Sequence, residues 1–130
     1  MAPATDASVP SSEASCLDLQ VVTALRELGG EDDPDLFDDL VETFAIDSPA
    51  RLDSIEDAVR SSDPDALHRA AHGLKSSAAN MGARDLAETC RRLENLGKDG
   101  TLDGAADLVP LARDRYRDAL EALERLRGRA

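Results

Sequence analysis

Apolar residues recur every three or four positions along most of the chain, and glycines and prolines divide this pattern into five segments. Such spacing places apolar side chains on one face of an α-helix. Aromatic residues make up only 2% of the sequence, so Leu, Val, Ile and Ala must form most of the core, and few β-branched stretches alternate as a strand would. The pattern predicts an all-α protein with helices over residues 17–28, 34–59, 63–81, 84–96 and 107–126.

Residues with strong positional preferences mark the predicted helix ends. Gly29-Gly30 stops the first helix, Asp63-Pro64 opens the third with a capping side chain and a first-turn proline, and Gly82 stops that helix. Ser48-Pro49 interrupts the second segment and leaves two interpretations open, a kink in one helix or the start of a new one. Pro110 fits the last helix only near its first turn, because a proline further inside removes a helical hydrogen bond.

Four long amphipathic helices joined by short loops predict the overall architecture. The expected arrangement is an antiparallel four-helix bundle, with a short additional helix at the N-terminus. Residues 17–128 are expected to form this single domain, a size that one core can support. Residues 1–16 are rich in Ala, Ser and Pro and have almost nothing to bury, so they are predicted to be a disordered tail or linker.

The formal net charge of −12 restricts the partners that this protein can bind. A nucleic acid or an anionic membrane surface would be repelled, so neither is expected as a partner. The charge is uneven, since residues 1–65 contain 17 acidic and three basic side chains, whereas residues 66–130 contain 10 acidic and 12 basic ones. A site for a phosphate group is therefore expected in the second half of the chain.

Cysteine usage and hydropathy indicate the cellular compartment. Cys16 falls in the predicted tail and Cys90 in an apolar helical stripe, so the count permits one disulfide, but reduced thiols are favoured. No apolar run is long enough to cross a bilayer, and the N-terminus lacks the basic start and apolar centre of a signal peptide. The chain is therefore expected to be a soluble cytoplasmic protein.

The predicted helix that ends at Gly82 carries the residues of chemical interest. On a helical wheel, His72 lies roughly 140° from the centre of the apolar face, on the solvent flank. That apolar face consists of Leu67, Ala71, Leu74, Ala78 and Met81. The neighbours of His72 along the same flank are His68, Arg69, Lys75, Ser76 and Ala79. Lys75 and Arg69 place positive charge within reach of an anion on the imidazole.

Small side chains keep the helix surface beside His72 low, namely those of Gly73, Ser76 and Ala79. A glycine in the middle of a helix costs about 1 kcal/mol relative to alanine, so Gly73 needs a reason other than stability. Close approach by a partner surface is the simplest reason. The imidazole itself suits phosphoryl relay, because the neutral ring offers an unprotonated nitrogen as nucleophile near neutral pH without a separate base.

Residues 71–83, Ala-His-Gly-Leu-Lys-Ser-Ser-Ala-Ala-Asn-Met-Gly-Ala, resemble the signature of histidine-containing phosphotransfer (HPt) domains. In that signature an Ala-His-x-Leu-Lys-Gly/Ser core precedes a run of small residues and a Gly-Ala turn. The next helix of the family carries a Leu-x3-Cys-x2-Leu-Glu pattern, which is matched here by Leu86, Cys90, Leu93 and Glu94. The resemblance covers residues 17–126.

The resemblance implies a function in a two-component phosphorelay. His72 would be the phosphorylated residue, usually through Nε2 in this family, and Lys75 its charge partner. Many members carry Gly in place of Ser76, whose hydroxyl is a candidate donor to the phosphoryl group. The implied partners are receiver domains of response regulators and a hybrid histidine kinase, with the protein acting as a monomer. The candidates for stabilising phosphate or docking a partner are Lys75, Ser76, Gly73, Ala79, Arg69 and His68.

Such a phosphocarrier is not expected to be an enzyme by itself. The sequence contains no Gly-x4-Gly-Lys-Ser/Thr loop or other glycine-rich nucleotide site, and no strand ends that would hold Mg²⁺ as in a receiver domain. No cofactor or metal site is therefore expected in this chain. The partner receiver domain would supply its aspartate, its Mg²⁺ and the catalysis.

Two other functions compete with this interpretation. A non-catalytic helical interaction or scaffold domain would carry His72 as an incidental surface residue. A metal-binding bundle would use His68 and His72, four residues apart, together with carboxylates. No Glu follows His68 as in a His-Glu-x-x-His motif, so phosphotransfer is favoured over metal binding.

Overall fold

The computed structural model describes residues 16–127, which form five α-helices and contain no strand. The helices are α1 (Leu19–Leu28), α2 (Leu36–Arg60), α3 (Pro64–Asn80), α4 (Arg84–Lys98) and α5 (Ala105–Leu126). This confirms the predicted all-α class. Of the tail predicted for residues 1–16, residues 1–15 lie outside the described residues. Cys16, assigned to that tail, is 5% exposed and packs in the core, so the packed region begins one residue earlier than expected.

The four long helices form the predicted bundle. α3 packs against both α2 and α4, and α5 closes the bundle by packing against the same two helices. The loops 61–63, 81–83 and 99–104 are short, so consecutive helices run antiparallel. α1 is the additional short helix and contacts α2. No helix within residues 16–127 combines the length and apolarity needed to cross a bilayer.

α3 begins at the predicted position and is fixed in rotation by its buried face. The Asp63 side chain accepts a hydrogen bond of 3.1 Å from the backbone N–H of Ala66, and Pro64 occupies the first position of the helix. Each fully buried leucine contributes about 1.5–3 kcal/mol of hydrophobic stabilisation. Residues without exposed surface on this face are Leu67, Ala71, Leu74 and Ala78. Their burial determines which α3 residues face solvent.

α2 is one helix that runs through Pro49, so the alternative of a new helix at this proline is wrong. Proline has no N–H, and the carbonyl of Ala45 therefore loses its helical donor. The Tyr116 hydroxyl on α5 donates a hydrogen bond to that carbonyl at 3.3 Å, and the Phe44 and Tyr116 ring centroids are 5.5 Å apart. A tertiary contact replaces the missing helical bond and joins α2 to α5.

Two helix ends differ from the prediction. Gly97, expected to stop α4, lies inside it. A Cβ at Gly97 would be 2.5 Å from the carbonyl oxygen of Pro64 and 2.6 Å from the backbone nitrogen of His68, so this glycine marks a close contact between α3 and α4. α5 begins at Ala105, two residues earlier than predicted, and Pro110 therefore lies beyond the first turn rather than within it.

The turn after α3 holds α1 in place. Gly82 has a φ of +74°, a left-handed conformation that favours glycine. Its carbonyl accepts a hydrogen bond of 2.7 Å from the backbone N–H of Asp18, and a Cβ at Gly82 would lie 3.0 Å from the Asp18 carbonyl oxygen. The Asp18 side chain also caps α1 by accepting from the Val21 N–H. α1 is thus fixed beside the end of the helix that carries His72.

Candidate functional site

His72 lies on the solvent side of α3. Its side chain is 60% exposed, whereas Ala71 and Leu74 on the opposite face are fully buried. This confirms the position assigned to His72 from the helical periodicity. Because packing of the apolar face holds the helix in one rotation, the imidazole remains at the surface of the bundle.

A buried carboxylate from the neighbouring helix contacts this histidine. Glu94 on α4 is only 8% exposed, and its Oε2 lies 2.7 Å from Nδ1 of His72. Its other oxygen, Oε1, lies 2.5 Å from Nζ of Lys75. Burial by itself raises the pKa of Glu94, but the hydrogen bonds from Lys75 and His72 outweigh this effect and hold the pKa below its ordinary value. Glu94 is therefore ionised at neutral pH.

The ionised carboxylate determines which nitrogen of His72 is nucleophilic. An ionised carboxylate can only accept hydrogen bonds. Nδ1 of His72 therefore carries the ring hydrogen and donates a hydrogen bond to Glu94. In the neutral ring, Nε2 then has a free lone pair. Since most of the side chain is exposed, this nitrogen is accessible to a reacting group. His72 is thus an oriented nucleophile with its reactive atom towards solvent.

Lys75 and His68 flank the same carboxylate. Lys75 is 32% exposed and is bound to Glu94, so part of its charge is already neutralised within the chain. Nε2 of His68 lies 3.6 Å from Oε2 of Glu94, which is too long for a hydrogen bond. The centroids of the His68 and His72 rings are 6.5 Å apart. The structure therefore brings both predicted residues to the site, with Lys75 in the closer contact.

Arg69 and Gly73 occupy different places from those expected. Arg69 is paired with Asp65 one turn earlier on α3, and both side chains are largely exposed. Gly73 faces α2, where the guanidinium of Arg51 lies so close that a Cβ at Gly73 would be 2.5 Å from Nη1. The surface at Gly73 is therefore covered by this chain's own arginine rather than open to a partner.

Ser76 and Ala79 line an open groove that begins one turn along α3 from His72. The groove has a volume of about 630 Å³ and lies between α1, α3 and α4. Its walls combine apolar side chains from all three helices with both basic and acidic residues. The lining residues are Asp18, Val21, Lys75, Ser76, Ala79, Asn80, Gly82, Arg84, Ala87, Glu88 and Arg91. The structure therefore places Lys75, Ser76 and Ala79 on one continuous surface.

Two site residues were not assigned a role from the sequence. The sequence motif includes Glu94 without a role, although an acid one turn after Cys90 on an apolar face signals a buried charge that needs partners. Arg51 gave no such signal, because its proximity to Gly73 arises between helices that are separate in the sequence.

The interpretation of Cys90 as a core residue is confirmed. Cys90 has no exposed surface, and burial, reinforced by the charge of Glu94, raises the pKa of its thiol to about 12. Neither Cys16 nor Cys90 forms a disulfide in the described structure. In the part of the chain described, no three or more His, Cys, Asp or Glu side chains are grouped so as to hold a metal ion.

Fold and site together define a small helical bundle that presents one oriented histidine at its surface. The family model of the Hpt domain matches residues 39–126, more than half of the sequence. The chain belongs to the Hpt domain family. Proteins of this family are phosphocarriers of phosphorelays rather than enzymes in the usual sense, and the chain is a phosphorelay protein of this kind.

Solved structures support the same assignment. Histidine-containing phosphotransfer protein B from Pseudomonas aeruginosa is 32% identical, with a TM-score of 0.79, and the match covers 90% of this chain and 98% of that chain. A histidine-containing phosphotransfer protein from rice is 21% identical, with a TM-score of 0.74 and coverage of 85% and 80%, and shares the fold. A search of curated proteins gave no match.

Proposed function

We propose that His72 is the phospho-accepting residue and that it carries the phosphoryl group to and from aspartates of receiver domains. The observation that carries this proposal is the 2.7 Å contact between Nδ1 of His72 and the ionised Glu94, which places the hydrogen of the neutral ring on Nδ1 and leaves the lone pair on Nε2 of an exposed side chain. In the structure, His68 makes no hydrogen bond of this kind to Glu94, so the two histidines are not equivalent.

The transfer can be written as one displacement at phosphorus. The Nε2 lone pair of His72 attacks the phosphorus of an aspartyl phosphate, the bond between phosphorus and the aspartate oxygen breaks, and the aspartate leaves as a carboxylate. The ring gains a positive charge while its Nδ1 hydrogen stays in the hydrogen bond to Glu94. The buried carboxylate stabilises that charge, so the reaction needs no separate base. The reverse sequence returns the phosphoryl group to an aspartate.

In this proposal, the partner receiver domain catalyses the transfer. We infer that this chain works without a nucleotide, cofactor or metal of its own, and that the receiver domain supplies the aspartate and the Mg²⁺. The support is the absence of a nucleotide-binding motif in the sequence. A hybrid histidine kinase is the expected source of the phosphoryl group.

The groove between α1, α3 and α4 is the proposed docking surface for receiver domains. It starts next to Lys75, it is bordered by small residues, and it offers apolar area with charged residues of both signs around it. Docking of this kind is transient and uses a modest interface. We also propose that the protein is cytoplasmic and acts as a monomer. One exposed histidine per chain is sufficient for the relay, so no second copy is needed.

The test is phosphoryl transfer from a receiver domain charged with acetyl phosphate. Wild type should gain one acid-labile, base-stable phosphoryl group per chain, and His72→Gln should gain none. His68→Gln, which removes the other histidine of the chain, should still be labelled. Label lost in His68→Gln and kept in His72→Gln would move the site to His68. Absence of label from wild type with several receivers would favour a scaffold function instead.

A further inference from the structure

The guanidinium of Arg51 on α2 lies directly over Gly73, the residue that follows His72. An ideal Cβ at Gly73 would be 2.5 Å from Nη1 of Arg51 and 3.8 Å from its Cζ. No side chain can occupy that position while Arg51 is in place. The glycine in the middle of α3 therefore permits a close approach by an arginine from another helix.

The charge of Arg51 is not compensated within the described structure. The nearby basic residues Lys75 and Arg69 are each bound to a carboxylate of this chain. Within residues 16–127 the Arg51 guanidinium makes neither an ion pair nor a hydrogen bond. Arg51 is also one of only two bases on a helix rich in acids. An uncompensated guanidinium in these surroundings is available to an anion.

The His72 ring turns Nε2 away from Glu94 and α4, while Arg51 approaches the neighbouring residue, Gly73, from α2. α2 and α4 both pack against α3 and are different neighbours of it in the bundle. Nδ1 is held towards α4 by Glu94, and Nε2 points away from Nδ1 across the ring. A surface groove of about 310 Å³ between α2 and α3, lined by Arg51, Ser54, Ala66, Arg69 and Ala70, leaves space on the α2 side of α3.

We propose that Arg51 binds the phosphoryl group carried on Nε2 of His72 and that Gly73 is required to admit its guanidinium. This inference rests on the proposed function of His72. A guanidinium presents paired donors that match phosphoryl oxygens, whereas Lys75 is already engaged by Glu94. Arg51 thus supplies from α2 the positive charge that the phosphorylated state requires.

The first experiment compares phosphorylated wild type with Arg51→Gln by ³¹P NMR titration. A neighbouring guanidinium favours the dianionic phosphoryl group, so its loss should move the midpoint of the titration to higher pH. The equilibrium ratio of phosphorylated protein to phosphorylated receiver should fall about two- to fivefold. Arg60→Gln is the matched control, because Arg60 lies on the same helix and is paired with Asp57. It should change neither quantity.

A second experiment tests the role of Gly73 through Arg51. Gly73→Ala should displace the guanidinium and shift the ³¹P midpoint in the same direction as Arg51→Gln. In the Arg51→Gln background the same alanine should produce no further shift, because its effect passes through the arginine. Additive shifts in the double variant would overturn the proposed link between Gly73 and Arg51.

Failure of this inference is distinguishable from failure of the proposed function. If wild type and Arg51→Gln are both labelled on His72 and have the same midpoint and the same equilibrium ratio, Arg51 does not bind the phosphoryl group, while His72 remains the carrier. If wild type itself carries no phosphohistidine, the proposed function fails first.

Discussion

Glu94 serves two basic neighbours at once, His72 through Oε2 and Lys75 through Oε1. A buried carboxylate without partners costs several kcal/mol, so these contacts are needed for stability as well as for chemistry. Lys75 in the unphosphorylated protein is therefore first a partner of Glu94. The same contact that stabilises the fold sets the tautomer of the imidazole.

The pH dependence of stability tests the ionised state of Glu94. Because its folded-state pKa lies below the ordinary value, the carboxylate stabilises the fold above the pH at which an unfolded glutamate titrates, and this contribution is lost as the pH falls through the folded-state pKa. Glu94→Gln should lower the free energy of unfolding by about 1 kcal/mol at neutral pH and by less in acid. Urea unfolding at several pH values measures the difference. Glu121→Gln, at an exposed position, is the control, and a difference that does not change with pH would contradict the expectation.

Transfer kinetics test the orienting role of the same residue. Glu94→Ala should slow phosphoryl transfer about ten- to a hundredfold, because the ring loses a charge-assisted hydrogen bond that fixes Nδ1–H. Glu94→Gln should retain more activity, since an amide oxygen still accepts from Nδ1. Rates from a charged receiver domain decide the order of the two variants. Equal rates for both variants and wild type would exclude the orienting role.

Part of this site was predictable and part was not. The exposed position of His72 follows from the helical periodicity of α3 alone. The residues that form the apolar face of α3 all lie within one stretch of the sequence. The role of Glu94 depends on α4 lying at a particular height beside α3, which no pattern within either helix specifies. The sequence predicts that a partner approaches at Gly73, whereas the structure places Arg51 there, a contact between two helices that neither segment encodes by itself.

At the scale of elements, two glycines on neighbouring helices differ in what they contact. Gly97 faces backbone atoms, whereas Gly73 faces a side chain. Gly97 lets the α4 backbone meet the start of α3, and Glu94 lies one turn before it. The close contact at Gly97 therefore sets the distance between the helix that carries the carboxylate and the helix that carries His72. Gly73 faces only the end of a flexible arginine side chain.

The same glycine-to-alanine change should consequently shift the free energy of unfolding in opposite directions at Gly97 and Gly73. Gly97→Ala should lower the free energy of unfolding by about 1–3 kcal/mol, because the methyl group meets backbone atoms of α3. Gly73→Ala should raise it by up to about 1 kcal/mol through helix propensity. Urea unfolding of the two variants measures both values. Stabilisation by Gly97→Ala would show that the α3–α4 contact is not close enough to matter.

The proline in α2 is accommodated by a contact from α5. Tyr116→Phe should lower the free energy of unfolding by about 1 kcal/mol, because the Ala45 carbonyl loses the hydroxyl that replaces its helical donor. In a Pro49→Ala background the cost should be smaller, since the new N–H can donate to the same carbonyl. A double-mutant cycle measured by urea unfolding gives the coupling energy. A coupling near zero would mean that the hydroxyl does not compensate for the proline.

At the scale of the whole molecule, charge is distributed unequally between the two halves of the chain. The net charge of −12 comes from the first half of the chain, including the acidic helix α2, whereas the basic residues concentrate on α3 to α5. Like-charge repulsion on this scale destabilises the compact state and is screened by salt. His72 lies in the half of the chain with the less negative net charge.

Salt should therefore stabilise this protein. The melting temperature should rise as sodium chloride is increased from low ionic strength, because screening relieves repulsion among the acidic residues. Removing two exposed charges of α2 with Asp39→Asn and Glu42→Gln should raise the melting temperature at low salt and reduce the gain from added salt. Circular dichroism melts measure both. A melting temperature that falls with salt would mean that attractive ion pairs dominate instead.

The sequence by itself determined the helical segments, the bundle they form and the face of α3 on which His72 lies. Each of these depends on residues within a few turns of one another, or on loops too short to allow another arrangement. Only the tertiary structure decided that Glu94 holds Nδ1 of His72, that Arg51 covers Gly73 and that Gly97 joins two helices. Contacts between helices depend on the rotation and offset of each helix against its neighbour, and packing of the whole core sets these quantities.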